Sequence, residues 1–287
     1  MLLSVVFHQV VKSLKSHVIL QIPELEIPPG LTVITGANGS GKTSLLRILT
    51  GIWTACGTIQ FDGLPPTAQY RRIGYLQDPP GFYDHLSAYE MLAYYRAIAK
   101  QPSRTPYAAD LLEQWSIPSG SIRQFSRGQR QRLGIVCSLW HDPHYWLLDE
   151  PFTGLDGQGS RLLWETVAHR AQTDSSYTLM VLHPDHGFSA AVHHILVLEA
   201  GHVVFFGSPA QFFHRYLAVR QGRVPHRWRT ALDVHHILYT ESDHPGELLL
   251  SAWEPAIDSL LVAVANQLLN PLDLLGLPTI ASPTEVS

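Results

Sequence analysis

Gly-Ala-Asn-Gly-Ser-Gly-Lys-Thr, residues 36–43, is the stretch from which the rest of the chain can be interpreted. The apolar run at 31–35 before it predicts a strand, and Ser-Leu-Leu-Arg-Ile-Leu at 44–49 after it predicts a helix. This order and the spacing GxxxxGK[ST] are those of a phosphate-binding loop. Its glycines let several backbone N–H groups converge on one anion, and the N-terminus of the following helix adds positive charge. The stretch therefore predicts a nucleoside triphosphate site.

The polar side chains of this loop are expected to bind phosphate and metal. Lys42 is expected to reach the β- and γ-phosphates, and the Thr43 hydroxyl is expected to ligate Mg²⁺. A glycine-rich turn without a ligand would require neither of these side chains. The other loop residues expected to surround the nucleotide are Gly36, Asn38, Gly39, Ser40, Gly41 and Ser44.

A second segment supplies the carboxylates that such a site needs. Tyr-Trp-Leu-Leu-Asp-Glu at 145–150 reads as a buried strand, because its apolar run is unbroken. Asp149 is expected to hold Mg²⁺, and Glu150 to orient and deprotonate an attacking water. The alternative is that both acids are merely polar ends of a strand. Behind a phosphate-binding loop, the catalytic interpretation is favoured.

A third segment, Phe-Ser-Arg-Gly-Gln at 125–129, narrows the class. It precedes a helical run and lies upstream of the Asp149 strand, and here the chain resembles the ATP-binding cassette (ABC) ATPases. Their signature, usually Leu-Ser-Gly-Gly-Gln, lies at a helix N-terminus that closes on the γ-phosphate held by a second subunit. Ser126, Gly128 and Gln129 match it, whereas Arg127 stands where glycine is usual. The pentapeptide could also be a simple serine helix cap.

The resemblance assigns roles to four further residues. Gln77, at the end of a predicted strand, matches the glutamine that senses Mg²⁺ and the attacking water. Asp156, in Thr-Gly-Leu-Asp, matches a residue that crosses the dimer interface. His183, after the apolar run 179–182, matches the histidine that contacts the γ-phosphate. Leu14 stands where the family usually has an aromatic residue against adenine, so we expect loose base selection.

The resemblance covers about residues 1–212, for which we predict an α/β P-loop NTPase fold. It has a mainly parallel central sheet, an N-terminal antiparallel β part and a small helical subdomain at about 79–124. Residues 213–229 read as a basic linker, and 230–287 as a small α+β appendage that is regulatory or stabilises a dimer. In the appendage we predict strands at 234–239 and 247–253 and a helix at 255–269.

Composition limits the remaining possibilities. No apolar stretch approaches the about 20 residues that span a bilayer, and no signal peptide is recognised. The two cysteines do not form a disulfide framework, and no His/Cys spacing suggests zinc. The net charge of −4 does not favour nucleic acid as a partner. A basic cluster between 215 and 229 reads as a solvated linker or as a contact with lipid headgroups or a partner.

The first hypothesis for function is the ATPase subunit of a membrane transporter, similar in motif wording to exporter and haem-exporter ATPases. The resemblance implies ATP and Mg²⁺ as cofactors and a head-to-tail dimer with a second copy or a homologous cassette. It also implies separate transmembrane permease subunits and a place on the cytosolic face of the membrane, with only peripheral membrane contact. The rivals are a soluble cassette ATPase acting on ribosomes or DNA, and a non-hydrolysing regulatory cassette. A single signature argues against the first rival, and Glu150 and His183 argue against the second.

Overall fold

The computed structural model describes residues 4–99, 105–172, 176–182, 191–216, 222–225, 239–241 and 247–250. Contacts within the chain divide it into two units, Met1–Phe212 and Phe213–Ser287. The functional motifs lie in the first unit.

The first unit is built on one nine-stranded mixed sheet. Its strands are β1 (Val5–Leu14), β2 (His17–Ile27), β3 (Gly30–Thr35), β4 (Cys56–Phe61), β5 (Ile73–Leu76), β6 (Tyr145–Asp149), β7 (Tyr177–Val181), β8 (His194–Glu199) and β9 (His202–Gly207). Their spatial order is β4-β1-β2-β9-β8-β3-β7-β6-β5. Strands β4, β1 and β2 pair antiparallel, whereas β8, β3, β7, β6 and β5 pair in parallel. The predicted fold class is confirmed.

Helices and short helical turns connect these strands. The α-helices are α1 (Lys42–Leu49), α2 (Pro66–Gln69), α3 (Ala88–Ala99), α4 (Thr105–Gln114), α5 (Arg127–Leu139), α6 (Gly157–Ala171) and α7 (Pro209–Tyr216). Two 3₁₀ turns cover Tyr70–Arg72 and Ile122–Gln124. Within the ranges described above, no helix is long and apolar enough to cross a membrane.

The core explains why α1 lies where it does. Four residues of α1, Leu45, Leu46, Ile48 and Leu49, are almost fully buried against the sheet. Burying an aliphatic side chain of this size contributes about 1.5–3 kcal/mol. This packing fixes the helix, and therefore the phosphate-binding loop that precedes it.

The parallel strands place the functional residues at one edge. Every residue of β3, β6 and β7 is buried, which is why these strands read as continuous apolar runs. The carboxyl ends of parallel strands meet at one edge of a sheet, where ligands bind in open α/β folds. Residue 36 follows β3, Glu150 follows β6 and Gln77 follows β5, so all three motifs begin at this edge.

The segment at 79–124 contains α3, α4 and the second 3₁₀ turn. Helix α3 begins with a capping box, because the Glu90 carboxylate accepts from the Ser87 N–H at 2.8 Å. The Glu90 N–H in turn donates to Ser87 Oγ at 3.3 Å. The sequence Ser-Ala-Tyr-Glu thus predicts this helix start correctly.

The second unit contains a three-stranded antiparallel sheet. Its strands are β10 (Gly222–Pro225), β11 (Tyr239–Glu241) and β12 (Glu247–Leu250), in the order β10-β12-β11. Strand β12 lies within the strand predicted at 247–253, and β10 falls in the segment predicted as a linker. The helix predicted at 255–269, and most of the strand predicted at 234–239, lie outside the described residues.

Candidate nucleotide-binding and hydrolysis site

The phosphate-binding loop has the backbone that its glycines allow. Gly36 has φ +143°, and a Cβ there would lie 2.1 Å from the Leu198 carbonyl oxygen. Gly41 caps α1 with φ +105°, and it also packs closely, with a Cβ position 3.0 Å from the Ile19 carbonyl oxygen. Larger residues would therefore force the loop away from β8 and β2. Glycine is required here for both conformation and space.

Lys42 is held inside this loop. Its ammonium donates to the carbonyl oxygens of Gly36 at 2.8 Å and Ala37 at 2.9 Å, and the residue is only 6% exposed. Burial lowers the pKa of Lys42, although Glu150 and Asp149 oppose that shift. The charge is therefore confined to the concave side of the loop. A phosphate group is the ligand that such a confined cation and the loop N–H groups fit.

Thr43 and Asp149 join the first turn of α1 to the end of β6. The Thr43 hydroxyl donates to Asp149 Oδ1 at 3.2 Å, and Oδ2 is buried with no hydrogen-bond partner in the described part of the chain. Burial raises the pKa of Asp149 to about 6, the Thr43 hydrogen bond opposes the shift, and the Glu150 and Asp78 charges add to it. An unpartnered carboxylate oxygen beside a hydroxyl fits a hard divalent cation, which takes oxygen ligands. The residues present therefore suit Mg²⁺.

Glu150 lies directly after the buried strand β6 and is partly exposed. Its φ of +45° is in the left-handed region, which costs a residue with a Cβ roughly 1–2 kcal/mol. Strain of this kind is typical of functional sites, where the surroundings must enforce it. The side chain is therefore presented at the carboxyl edge of the sheet by an enforced turn.

Asp78 is a site residue that the sequence did not reveal. Burial raises its pKa, the Glu150 charge adds to that shift, and Arg127 opposes it. Its neighbour Gln77 is exposed and lies next to Gly81, whose Cβ position is 3.1 Å from Gln77 Nε2. Asp78, Glu150 and Asp149 thus form an acidic group, and only tertiary structure brings Asp78 close to the two consecutive acids.

Arg47 is a second residue that the sequence did not reveal. It projects from α1, and its guanidinium lies 5.1 Å from the centre of the Trp53 ring. It is near enough to Asp149 to oppose the rise in the pKa of that carboxyl. A basic residue five positions after Lys42 is the only sequence signal, and it is weak.

The signature segment begins α5 with a capping box. Ser126 Oγ accepts from the Gln129 N–H at 3.2 Å, and Gln129 Oε1 accepts from the Ser126 N–H at 2.8 Å. The alternative interpretation of this segment as a helix cap is therefore correct for its hydrogen bonds within the chain. No hydrogen bond in the described ranges joins it to the phosphate-binding loop of the same chain. Its exposed N-terminus remains available to a ligand from outside.

The signature instead touches the loop that follows Glu150. A Cβ on Gly128 would lie 2.7 Å from the Gly154 carbonyl oxygen, and the Arg127 side chain packs 3.2 Å from the Cβ position of Gly154. Arg127, the departure from the family pattern, therefore lies over this loop. The contact leaves Ser126 unobstructed within the chain.

Asp156 has partners within its own chain. It caps α6 by accepting from the Gly159 N–H at 2.8 Å, and Arg132 donates to both its carboxylate oxygens at 2.6 and 2.8 Å. These bonds, the backbone bond to Gly159 first and then Arg132, lower the pKa of Asp156. A contact across a dimer would have to compete with this fork of hydrogen bonds.

Two expected site residues remain. Leu14 lies at the end of β1 and is 46% exposed, so its side chain is accessible to a base. His183 lies outside the described residues, one position after Leu182. The end of β7 at Val181 nevertheless lies between the ends of β3 and β6.

A phosphate-binding loop, a buried carboxylate beside a hydroxyl and an acidic group at the carboxyl edge of a parallel sheet define the chain as a P-loop nucleotide-binding protein. Comparison with known proteins identifies the family. The ABC transporter family model matches residues 20–153. The Nod factor export ATP-binding protein I of Cupriavidus metallidurans is 30% identical over 205 residues, covering 67% of each chain.

Other relatives and solved structures agree with this assignment. The sulfate/thiosulfate import ATP-binding protein CysA of Xylella fastidiosa is 29% identical over 67% of this chain and 59% of its own length. An ATP-binding subunit of an ABC transporter superposes with a TM-score of 0.66 at 21% identity, covering 75% of this chain and 93% of that one. An ATP-binding cassette dimer bound to ADP and Pi has a TM-score of 0.62 at 20% identity, with 71% and 98% covered. The chain spans 59–67% of the length of the two named relatives.

The chain belongs to the ABC transporter family. It is an ATP-binding subunit of the ABC transporter type and an ATPase cassette.

Proposed function

We propose that this protein hydrolyses ATP to drive a membrane exporter, as one half of a head-to-tail dimer of cassettes. The observation that carries the hydrolytic part is the pairing of Thr43 with Asp149 beside the strained Glu150. It brings a metal-binding pair and a carboxylate base to one edge, next to a loop that fits phosphate.

The chain's own residues account for the chemistry at one phosphate. Lys42 and the loop N–H groups hold the β- and γ-phosphates, and Thr43 and Asp149 hold Mg²⁺. When bound, Mg²⁺ neutralises charge on the phosphate oxygens. Glu150 accepts a proton from water as the water oxygen bonds to the γ-phosphorus, and the bond from that phosphorus to the bridging oxygen breaks. Gln77 and His183 orient the water and contact the γ-phosphate.

Closure would require a second cassette. Ser126, Gly128 and Gln129 form an exposed helix N-terminus, which suits an anion. They make no hydrogen bond to the described phosphate-binding loop of their own chain, so we assign them to the γ-phosphate of a partner. The partner is a second copy or a homologous cassette. Asp156 would exchange part of its pairing with Arg132 for contacts across this interface.

A groove beside Gln77 suits the transmembrane partner. It encloses about 300 Å³ between β5, α3 and α5, and Gln77, Tyr95 and Trp140 are among its lining residues. Tyr83 and Tyr94, 48% and 38% exposed, lie near Tyr95 and are bonded through their hydroxyls at 3.1 Å. A permease segment seated here would move with Gln77 when nucleotide binds. The protein would then lie on the cytosolic face of the membrane and touch lipid only peripherally.

Export is the direction that we favour, following the motif wording and the Nod factor export relative. Relatives named for sulfate/thiosulfate import are nearly as similar, so direction needs its own test. The membrane partner can be identified by co-purification with the Glu150→Gln variant and then reconstituted in vesicles with the wild-type ATPase on the outside. ATP-dependent accumulation of cargo in the vesicle lumen, found by untargeted mass spectrometry, supports export. ATP-dependent depletion of preloaded vesicles would establish import instead.

The hydrolytic role is tested by Glu150→Gln. Loss of a positioned base should reduce kcat by about 10²–10⁴, while ATP affinity stays within a few-fold because the phosphate contacts remain. The variant should elute as a dimer with ATP and Mg²⁺ in size-exclusion chromatography. Exposed Glu165 on α6 supplies the control, because Glu165→Gln makes the same charge change away from the site. Wild-type turnover in Glu150→Gln would remove Glu150 from the mechanism.

A further inference from the structure

The turn that carries Glu150 is fixed from several sides. After Glu150 at φ +45°, the Thr153 N–H donates to the Glu150 carbonyl at 3.1 Å and the Leu155 N–H donates to the Phe152 carbonyl at 3.0 Å. Phe152 is 7% exposed and lies 5.0 Å from the ring of Trp164 on α6. A strained φ persists only when neighbouring contacts enforce it. One of those contacts comes from outside the turn and is polar.

That contact is made by Gln131 on α5. Its side chain is 2% exposed, and its amide nitrogen donates to the Pro151 carbonyl oxygen at 3.0 Å. A buried amide is costly unless it is hydrogen-bonded, so its presence among the buried residues of α5 needs an explanation. The Pro151 carbonyl belongs to the peptide unit one residue beyond Glu150, so this bond restrains the direction in which Glu150 points.

Helix α5 holds the far end of the same loop as well. Arg132, the neighbour of Gln131, binds both carboxylate oxygens of Asp156. Gly128, one turn earlier, packs against the Gly154 carbonyl. The helix that begins with the signature therefore restrains the loop 150–156 at its start, middle and end. Of these contacts, only the one from Gln131 is fully buried and close to Glu150.

We propose that Gln131 is a positioning residue for Glu150, and that its hydrogen bond to Pro151 holds the base in the orientation needed to deprotonate water. This inference rests on the proposed function, in which Glu150 is the base. Gln131 is 2% exposed and donates to Pro151, so in this proposal it acts through the turn at 150–153. Because it lies on α5, any movement of the signature would also reach the base through this bond.

The test compares Gln131→Met with Gln131→Asn. Methionine matches the length of glutamine without a donor, and asparagine keeps the amide but is one methylene too short to reach Pro151. A displacement of about 1 Å in a catalytic group can cost about 10²-fold, so we expect kcat to fall 10- to 100-fold in both variants. The Kd for ATP should stay within a few-fold. If the Gln131→Met variant fails to fold, the Gln131→Asn variant still tests whether the hydrogen bond to Pro151 is needed.

Ser138→Ala is the matched control. Ser138 is also 2% exposed on α5, and its hydroxyl accepts from Trp146 Nε1 at 2.8 Å. Its removal deletes a buried hydrogen bond of the same helix that does not touch the turn. If kcat falls as much in Ser138→Ala as in Gln131→Met at equal loss of thermal stability, Gln131 is merely structural and the inference fails.

A double variant separates this inference from the proposed function. In the Glu150→Gln background, Gln131→Met should lower kcat no further, because the base it positions is already gone. A full additional loss would show that Gln131 acts elsewhere and would overturn the inference. Glu150→Gln alone tests the base, so a failure there is distinct from a failure of Gln131.

Discussion

Lys42 is the residue whose contribution can be isolated most directly. Its ammonium is already held by two carbonyl oxygens of its own loop, so little ordering is needed when phosphate arrives. Lys42→Ala should weaken ATP binding by about 10- to 100-fold, because a hydrogen bond to a charged group contributes about 1.5–3 kcal/mol. Thermal stability should not fall with it, since the substitution also removes a buried cation. Titration calorimetry with ATP and Mg²⁺ measures the affinity.

The control for Lys42 is Lys12→Ala. Lys12 donates to the Thr54 carbonyl at 2.7 Å and is not part of the loop. Equal ATP affinity in wild type and Lys42→Ala would show that residues 36–43 do not hold the phosphates.

At the scale of single residues, motif spacing predicted one site for Lys42, Thr43 and Asp149, and the structure has these residues close together. Thr43 and Asp149 are far apart in sequence, yet they are hydrogen-bonded, because the loop before Thr43 follows β3 and Asp149 ends β6 of the same sheet. Asp78 and Arg47 could not be found in this way. Their part in the site depends on the neighbours that folding gives them, and no local pattern encodes that proximity.

At the scale of elements, the N-terminus of α5 is the part to test. Ser126→Arg should leave ATP binding to the monomer intact and prevent the ATP-dependent dimer, because a long cation would occupy the space of a partner's phosphate. The measurement is size-exclusion chromatography of the variant in a Glu150→Gln background with ATP and Mg²⁺. The dimer peak should be lost, while bound ATP persists.

Ser126→Arg also removes a helix cap, which typically costs about 1 kcal/mol. Ser87→Ala provides the comparison, since Ser87 heads the other capping box, on α3. This variant should lose similar stability and still dimerise. Dimerisation by Ser126→Arg would rule out the head-to-tail arrangement.

The ends of strands were predictable from the sequence where every residue of the strand is buried. Strands β3, β6 and β7 were predicted within about two residues, because apolar runs mark them clearly. The first two strands, Val5–Leu14 and His17–Ile27, contain no such continuous apolar run. Buried Val10, Leu25 and Ile27 are separated in them by exposed residues, so polar positions interrupt the apolar pattern and the strand ends are hard to place from sequence. Helix α2 and strand β10 have only four residues each, so neither is long enough to show a helical or strand periodicity in the sequence.

At the scale of the molecule, a polar cluster at the opposite end of the sheet predicts acid sensitivity. His144 lies before β6, with its ring 4.7 Å from Tyr145 and Nε2 3.7 Å from Asp62. Burial lowers the pKa of His144 and nearby Arg72 adds to that effect, Asp62 opposes it, and Arg170 adds a smaller lowering. Because folding makes the His144 ring harder to protonate, the contribution of His144 to the free energy of unfolding should be complete above pH 6.5. That contribution should decrease as the pH falls below 6.5.

His144→Gln should flatten this decline. Between pH 7.5 and pH 5, the His144 contribution to the free energy of unfolding should change by at most about 1.4 kcal/mol for each unit by which folding lowers its pKa. Partial solvation of the ring reduces that figure. Urea unfolding across this pH range measures it, with exposed His202→Gln as the control. Equal pH dependence of wild type and His144→Gln would exclude this histidine as a source of the acid sensitivity.

We retain the division of the chain into a cassette of residues 1–212 and a C-terminal appendage as a proposal. Every residue of the described site lies in the first of the two units. None of the phosphate-binding, signature or carboxylate motifs of the sequence falls within the appendage. Its regulatory or dimer-stabilising role remains the hypothesis.

The strand order of the sheet has a consequence for how the protein is made. Strand β3 does not pair with β6; β7 lies between them, with Ile34 opposite Val181 and Asp149 opposite the same valine. A ribosome delivers the phosphate-binding loop early, but the strand that joins it to Asp149 emerges only after residue 177. Until then, we expect the nascent chain to hold apolar strands without their neighbours, which favours aggregation. Cellular ATP cannot protect it during that interval, because a ligand stabilises only the folded state that binds it.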